Sequence, residues 1–146
     1  MSNWRDAQRQ LASIENRFIH KKELNVRYAC LVYFEPKNVF GQNPEAAAVL
    51  GDSGAYSSQL KANGHMVMDQ ALQLPDQART VRVRDGKMSA TDGPFMETKE
   101  VLGGIILIEA QDLDEAVRLA AGIPLAKLGS VEVRPAVDYS KPRPKL

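Results

Sequence analysis

The ten residues TDGPFMETKE, Thr91 to Glu100, hold the densest group of side chains that could do chemistry. Asp92, Gly93 and Pro94 are turn formers, and they suffice on their own to reverse the chain. An aromatic residue, Phe95, and a cluster of two acids and a lysine then follow. A plain connection does not need these additional side chains. We therefore predict that this segment, the signature segment, makes a fixed turn and that its other side chains have a further role.

Asp92 and His65 are the two candidates for acid–base catalysis. A carboxylate at such a turn can act as a general base or orient a histidine, although it can also accept backbone N–H bonds and shape the corner. Imidazole titrates near neutral pH, and the chain has 2 histidines, of which His65 directly follows Gly64. If His65 and Asp92 meet, the carboxylate would fix the tautomer of the imidazole. Both are predicted to be catalytic.

Metal ions and nucleotide cofactors are not expected. The chain has 1 cysteine and 2 histidines, and it lacks the H-x-x-x-H and C-x-x-C spacings of an ordinary zinc site. It also lacks a G-x-G-x-x-G segment and a phosphate loop. Gly103 and Gly104 stand at the start of an apolar segment, where we expect them to allow close backbone approach.

The composition is typical of one soluble globular domain. Of the 146 residues 44% are hydrophobic and 25% are charged, and the formal net charge is +1. This balance argues against direct nucleic-acid binding through a broad basic surface. No apolar run is long enough for a membrane span. Cys30 can form no intrachain disulfide and is predicted to be a buried thiol, so a cytoplasmic location is expected.

The first 25 residues differ from the rest of the chain. Apolar residues recur there at intervals of three and four, which predicts an amphipathic helix; they are Trp4, Ala7, Leu11, Ile14 and Phe18. We expect this apolar stripe to pack on the parent domain or on a dimer partner, with a partly disordered extension as the alternative. The predicted organisation is an extension (1–25), a domain (26–140) and a basic tail (141–146).

The elements of the domain can be read from their patterns. A strand over Arg27–Phe34 is apolar on both faces, so it should be central and covered on both sides. A loop should follow, and then a helix that Asn43 and Pro44 begin and Gly64 ends. Its predicted apolar positions are Ala47, Leu50, Ala55 and Leu60.

The second half of the domain alternates strands with a hairpin and one helix. Asp85 and Gly86 signal a two-residue hairpin turn, and Asp112 begins a helix that ends at Gly122. The predicted strands are His65–Leu74, Thr80–Arg84, Lys87–Ala90, Val101–Ala110 and Val131–Val137. This order predicts a ferredoxin-like α+β sandwich with an inserted β-hairpin. Because two helices cover one face of a sheet, the other face should meet a second subunit in a C2 homodimer.

From about Val26 to Asp138 the sequence closely resembles the YCII-related proteins of the DGPF-domain type. The likeness rests on the signature segment and on the flanking segments YACLVYF, ANGH, LQLPDQARTVRVRDGK, VLGGIILIEAQDLDEAVRLAAGIP and GSVEVRPAV. The resemblance implies a dimeric α/β barrel, in which two ferredoxin-like sheets enclose a cavity. Met96 stands where this family often has alanine, and its flexible thioether would change the pocket wall without touching a proton-transfer group.

The resemblance also places candidate binding residues at the mouth of that cavity. His65 is similar to a histidine that many members carry, and the shared ETKE string makes Glu97 and Lys99 rim candidates. Lys99 could hold a substrate carboxylate. Hydroxyls could come from Tyr33 and Tyr56, with core packing as the alternative for each. The predicted substrate-binding residues are Tyr56, Gly93, Pro94, Phe95, Glu97 and Lys99.

Two functions agree with these observations. Family members include small enzymes for small, often aromatic or lactone-like molecules, and others are associated with alternative sigma factors. We predict a homodimer whose cavity near the dimer interface binds a small organic molecule, with cofactor-independent isomerase-like or lyase-like chemistry through His65 and Asp92. The alternative is a non-catalytic sensor or accessory module of a transcription sigma factor, served by the N-terminal helix and the basic tail.

Overall fold

The computed structural model describes residues 3–143 and 145, without the side chains of 18–24. The α-helices in this part of the chain are α1 (Trp4–Leu24), α2 (Pro36–Phe40), α3 (Pro44–Ala62) and α4 (Leu113–Ala121). The strands are β1 (Val26–Phe34), β2 (Met66–Ala71), β3 (Arg79–Arg84), β4 (Lys87–Asp92), β5 (Val101–Ala110) and β6 (Gly129–Pro135). Short 3₁₀ turns occupy Pro75–Gln77 and Pro124–Lys127.

Four of the strands form one antiparallel sheet in the order β2-β5-β1-β6. The other two strands, β3 and β4, form a separate hairpin between β2 and β5. This mixed α+β arrangement agrees with a ferredoxin-like sandwich that carries an inserted hairpin. Strands β1 and β5 are central, so the prediction that the first strand is central is confirmed.

One face of the sheet carries the core. Alternate residues of β1 are buried on this face; they are Tyr28, Cys30, Val32 and Phe34. They pack against the helices, where Ala116 and Ala120 of α4 are small enough to allow close approach. Ile108 of β5, directly opposite Tyr28 in the register, is 1% exposed. The alternation of the strands therefore determines which residues form the core.

The opposite face of the sheet has no helix packed on it within the described chain. Its central residues are only partly buried, and we call them the open face: Ala29, Leu31, Tyr33, Ile105 and Leu107. They are all apolar or aromatic, and they lie on the two central strands. The prediction that helices cover one face of the sheet and leave the other face uncovered therefore agrees with the structure of a single chain.

Local capping signals gave correct helix boundaries. The side chain of Asn43 accepts a hydrogen bond from the backbone N–H of Glu45 at 3.1 Å, and Gly64 adopts a left-handed φ of 76° after α3. At the start of α4 the side chain of Asp112 accepts from the N–H of Glu115 at 2.8 Å. These contacts satisfy backbone groups that a helix end leaves without partners.

The buried face of α3 differs from the prediction. The buried residues are Ala46, Val49 and Leu60, whereas Ala47, Leu50 and Ala55 are exposed. Alanine, glycine and serine occur on all sides of this helix, so its sequence periodicity does not define one apolar face. Only contact with the sheet determines which side is covered.

Several other boundaries also differ. The segment predicted as a loop contains α2, which Pro36 begins and whose Val39 is buried. Strand β2 ends at Ala71, before the predicted Leu74, because the chain turns toward Pro75. Strand β4 extends to Asp92, two residues beyond the prediction.

Helix α1 spans the segment predicted to be an amphipathic helix, but its described side chains do not pack on the domain. All of its described side chains, residues 4–17, are exposed; Trp4 is 64%, Leu11 60% and Ile14 49% accessible. The side chains of Phe18 and His20 lie outside the described ones. Packing of the stripe on a partner stays a prediction. No helix in the described residues combines the length and the apolar character that crossing a membrane requires.

The single thiol predicts a specific loss of stability at high pH. Cys30 is 0% exposed, and burial raises its pKa from 9.0 to about 11 because the thiolate is poorly solvated. The folded state therefore holds the thiol proton more tightly than the unfolded state. Its contribution is fully present below about pH 9 and is lost as the pH rises through about 11.

We expect this loss to be about 2–3 kcal/mol, since one pKa unit corresponds to about 1.4 kcal/mol. Urea unfolding at pH 8 to 11, followed by circular dichroism, would measure it, with Cys30→Ala as the control. Wild type should lose more stability than Cys30→Ala across this range. Equal slopes for the two proteins would contradict the prediction.

Candidate functional site

A cavity of about 1010 Å³ opens between one end of the open face and the base of the β3–β4 hairpin. The sheet contributes Tyr33 and Leu102, and the chain after β2 contributes Leu72 and Pro75. The opposite wall comes from the hairpin base and from the signature segment, including Gly93, Pro94, Phe95, Met96 and Glu97. The signature segment, which was predicted to line a pocket, therefore contributes to the wall of this cavity.

Backbone hydrogen bonds hold the signature segment against the hairpin. The N–H of Gly93 donates to the carbonyl of Ala78 at 2.7 Å, and the hydroxyl of Thr80 donates to the carbonyl of Gly93 at 2.9 Å. Gly93 has a φ of 95°, a left-handed conformation that favours glycine. Pro94 then restricts the exit from this turn. The turn directs Phe95 into the cavity lining, where its side chain is 73% exposed.

Asp92 lies one residue before this turn, at the end of β4. Its carboxylate is 3.2 Å from the Nε of Arg79, the residue opposite it in the hairpin register. No backbone N–H bond to the Asp92 carboxylate occurs in the described chain, so the alternative role in shaping the corner is not seen. Arg79 lines the cavity, whereas Asp92 is not among the lining residues. Both side chains are largely exposed, so this ion pair adds little stability.

His65 directly precedes β2, at the end of this strand that lies away from the cavity. Its Nδ1 is 2.8 Å from the carbonyl oxygen of Glu109. At the other end of β2, next to the cavity, the N–H of Leu72 donates a hydrogen bond to the carbonyl of Gly103. The stretch of β5 between Gly103 and Glu109 spans about 20 Å, since a strand rises about 3.3 Å per residue. The predicted contact between His65 and Asp92 is therefore not made within one chain, and their catalytic roles stay predictions.

Lys99 turns away from the cavity that it was predicted to border. Its Nζ lies 3.7 Å from Oε1 of Glu35, which also pairs with Lys37 at 3.0 Å. The hydrogen bond from Lys37, followed by the charges of both lysines, lowers the pKa of Glu35. Lys99 thus connects the signature segment to the end of β1. Glu97, the other predicted rim residue, does line the cavity.

Tyr56 belongs to the helical layer and not to the cavity. Its hydroxyl donates to the carbonyl of Leu119 at 2.5 Å, across the contact between α3 and α4. A side chain at Gly122 would overlap the Tyr56 ring, so this glycine makes room for it. Burial raises the pKa of Tyr56, with a smaller contribution from Cys30. This contact agrees with the core-packing alternative, and substrate contact by Tyr56 stays a prediction.

Three charged lining residues were not predicted as site residues: Asp76, Arg79 and Glu100. A signal for Arg79 was present, because pairing outward from the Asp85-Gly86 turn places it opposite Asp92. Glu100 was noted only as an acid of the signature segment, and Asp76 gave no signal, since it lies in an irregular segment whose path depends on tertiary contacts. No group of three or more His, Cys, Asp or Glu side chains is placed to hold a metal ion in the part of the chain described.

The cavity wall has the composition of a binding site, and no recognisable acid–base pair occurs among the described lining residues. Its wall combines aromatic and apolar residues with a few charged groups, which is the usual composition of a small-molecule site. Among the described residues, the ion pair that includes a lining residue is the exposed contact between Asp92 and Arg79. Within the described chain, no histidine lines the cavity.

Comparison with known proteins finds a relative and a family. An uncharacterised protein of Rhizobium meliloti (strain 1021) is 45% identical over 64 residues, which make up 42% of this chain and 52% of that protein. The chain thus spans about half the length of this curated relative. The model of the YCII-related domain family matches residues 26–140, from the first residue of β1 to beyond β6. The match covers most of the chain, which therefore belongs to the YCII-related domain family.

Proposed function

We propose that the chain binds a small organic molecule in the cavity beside the signature segment. The observation that carries this proposal is the wall itself, where Phe95 and Met96 are large, apolar and exposed. Ligand sites are commonly apolar concavities of about 300–1,000 Å³ with a few polar groups. A bound molecule would remove these side chains from water, which is favourable in proportion to the apolar area covered.

We further propose that the functional unit is a homodimer joined through the open face, as a dimeric α/β barrel. Leu31, Ile105 and Leu107 form an apolar centre on the two middle strands, and no helix of the described chain covers them. A second copy offers the same surface, so a two-fold contact would bury both. Tyr33 and Leu102 connect this face to the cavity, which would then lie near the interface.

Catalysis is a separate and weaker part of the proposal. Cofactor-independent chemistry through Asp92 or His65 has no support from a contact between them, because each has another partner. The sigma-factor alternative stays a prediction, for which the exposed α1 is the available surface. The assignment to the DGPF type also stays a prediction that rests on the signature segment.

Replacing Phe95 with alanine should weaken ligand binding with little effect on stability. Burial of a phenylalanine side chain contributes about 1.5–3 kcal/mol, so affinity should fall about tenfold or more. The free side chain is already exposed, and its loss should change the free energy of unfolding by less than about 0.5 kcal/mol. Ligand-observed NMR with small aromatic carbonyl, lactone and amine compounds would identify binders and provide dissociation constants for both proteins.

Tyr139→Ala provides a matched control, because this aromatic side chain is also exposed and does not line the cavity. It should retain the affinity of the wild type for each binder. Compounds that bind Phe95→Ala as tightly as the wild type would place the binding site elsewhere and contradict the proposal.

A further inference from the structure

Acidic residues outnumber basic ones in the lining of the cavity. Asp76, Glu97 and Glu100 contribute three carboxylates, and Arg79 contributes the single guanidinium among the described lining residues. That guanidinium already has a carboxylate partner, since its Nε is 3.2 Å from Asp92. The cavity and its immediate surroundings therefore carry an excess of negative charge.

The lysine of the signature segment does not compensate for this excess. Lys99 is directed to Glu35, which Lys37 also contacts, and neither lysine lines the cavity. An anionic ligand would thus meet three carboxylates without a free cation among the described lining residues. This arrangement disfavours the substrate carboxylate that the sequence suggested for Lys99.

The apolar part of the wall is also suited to a cation. Phe95 and Tyr33 provide aromatic rings, and a cation is attracted to the face of an aromatic ring. Met96 adds a polarisable thioether beside them. Carboxylates together with exposed aromatic rings match an organic ammonium group better than a hydrated metal ion, which needs several oxygen ligands at once.

We propose that the ligand of this cavity is a small organic amine, bound as its protonated cation with an aromatic or apolar group attached. This inference rests on the proposed binding function and names the ligand class for the same cavity. The carboxylates select the ammonium group by charge, and the aromatic wall covers the apolar group. The carboxylate of Asp92 supports this selection by neutralising Arg79.

Three probes with the same ring and different charge test the proposal: benzylamine as its cation, neutral benzyl alcohol and anionic benzoate. The ¹⁵N-labelled full chain would be titrated near neutral pH at low salt, following the amide signals of Gly93 and Phe95. We expect benzylammonium to bind about three- to tenfold more tightly than benzyl alcohol, and benzoate to bind most weakly. Added salt should weaken binding of benzylammonium and leave benzyl alcohol unchanged.

A pair of variants separates the local charge from the net charge of the protein. Glu97→Gln removes a carboxylate that lines the cavity, and Glu45→Gln removes an exposed one on α3 that does not. Glu97→Gln should weaken benzylammonium binding about two- to fivefold, the usual effect of an exposed ion pair. It should leave benzyl alcohol unaffected, and Glu45→Gln should affect neither probe.

The outcomes distinguish this inference from the function on which it rests. Equal binding of the three probes, or tightest binding of benzoate, would overturn the amine proposal and retain a cavity that binds small molecules. Equal effects of Glu97→Gln and Glu45→Gln would also overturn it. No shift of the cavity signals with any probe would overturn both proposals.

Discussion

Leu107→Glu should convert the proposed homodimer into monomers. Leu107 lies on a central strand, opposite Ala29 of β1 and Met68 of β2, near the middle of the open face. In a two-fold contact each copy would place one glutamate in the interface without a partner. The effective cost of burying an unpaired charge is several kcal/mol, so the dimer dissociation constant should rise at least about a thousandfold.

The monomer itself should tolerate this change. Leu107 is only partly buried in one chain, so a glutamate there can reach water once the partner has left. Sedimentation velocity over a range of concentrations would measure the association, and circular dichroism would check the fold. Val117→Glu on α4 is the matched control, because Val117 is exposed on the helical layer, away from the open face. It should remain dimeric.

Persistence of a dimer in Leu107→Glu would show that the open face is not the interface. A wild-type chain that is monomeric at all concentrations would have the same consequence. The proposed position of the cavity near a subunit boundary would then be lost as well, because only Tyr33 and Leu102 connect the two surfaces. The experiment with Phe95→Ala would still test whether a single chain binds a ligand.

Ile108→Ala should be the most destabilising change within one chain. Ile108 is 1% exposed and belongs to the core cluster between the sheet and the helices. Removing its side chain loses buried apolar area and leaves a cavity that the surrounding residues fill only in part. Such substitutions cost about 2–5 kcal/mol. Urea unfolding at one fixed protein concentration would give the change in the free energy of unfolding.

Ile14→Ala offers a control with the same change of residue. Ile14 is 49% exposed on α1, where alanine is also the better helix former. We expect a change of less than about 0.5 kcal/mol. If Ile14→Ala were as destabilising as Ile108→Ala, α1 would be packed against something in solution, and the exposed stripe would be an interface.

The cavity and the signature segment have different origins in the chain. The turn at Gly93 is local, because it depends on a left-handed glycine followed by a proline. The cavity forms only where this turn faces Tyr33 and Leu72, which are distant in sequence. A substitution in the turn and a substitution in the sheet should therefore affect the same binding site, although no sequence pattern connects them.

Local signals in the sequence determined most of the element boundaries. Asn43 and Gly64 limit α3, Asp112 begins α4, and the pair Asp85-Gly86 centres the hairpin, because each acts on backbone groups within a few residues. The apolar residues on both faces of β1 likewise predicted that it is a central strand. The order of these elements was enough to predict the α+β class and the ferredoxin-like arrangement.

Only the tertiary structure decided which side chains share a site. His65 and Asp92 are compatible as chemical groups, but His65 contacts Glu109 at one end of β5, and Asp92 pairs with Arg79 in the separate β3–β4 hairpin. Lys99 belongs to the signature segment, yet the nearby Glu35 draws it away from the cavity. Both outcomes depend on contacts between residues that are far apart in the chain. The types and the spacing of residues specify local conformation, whereas long-range packing determines their neighbours.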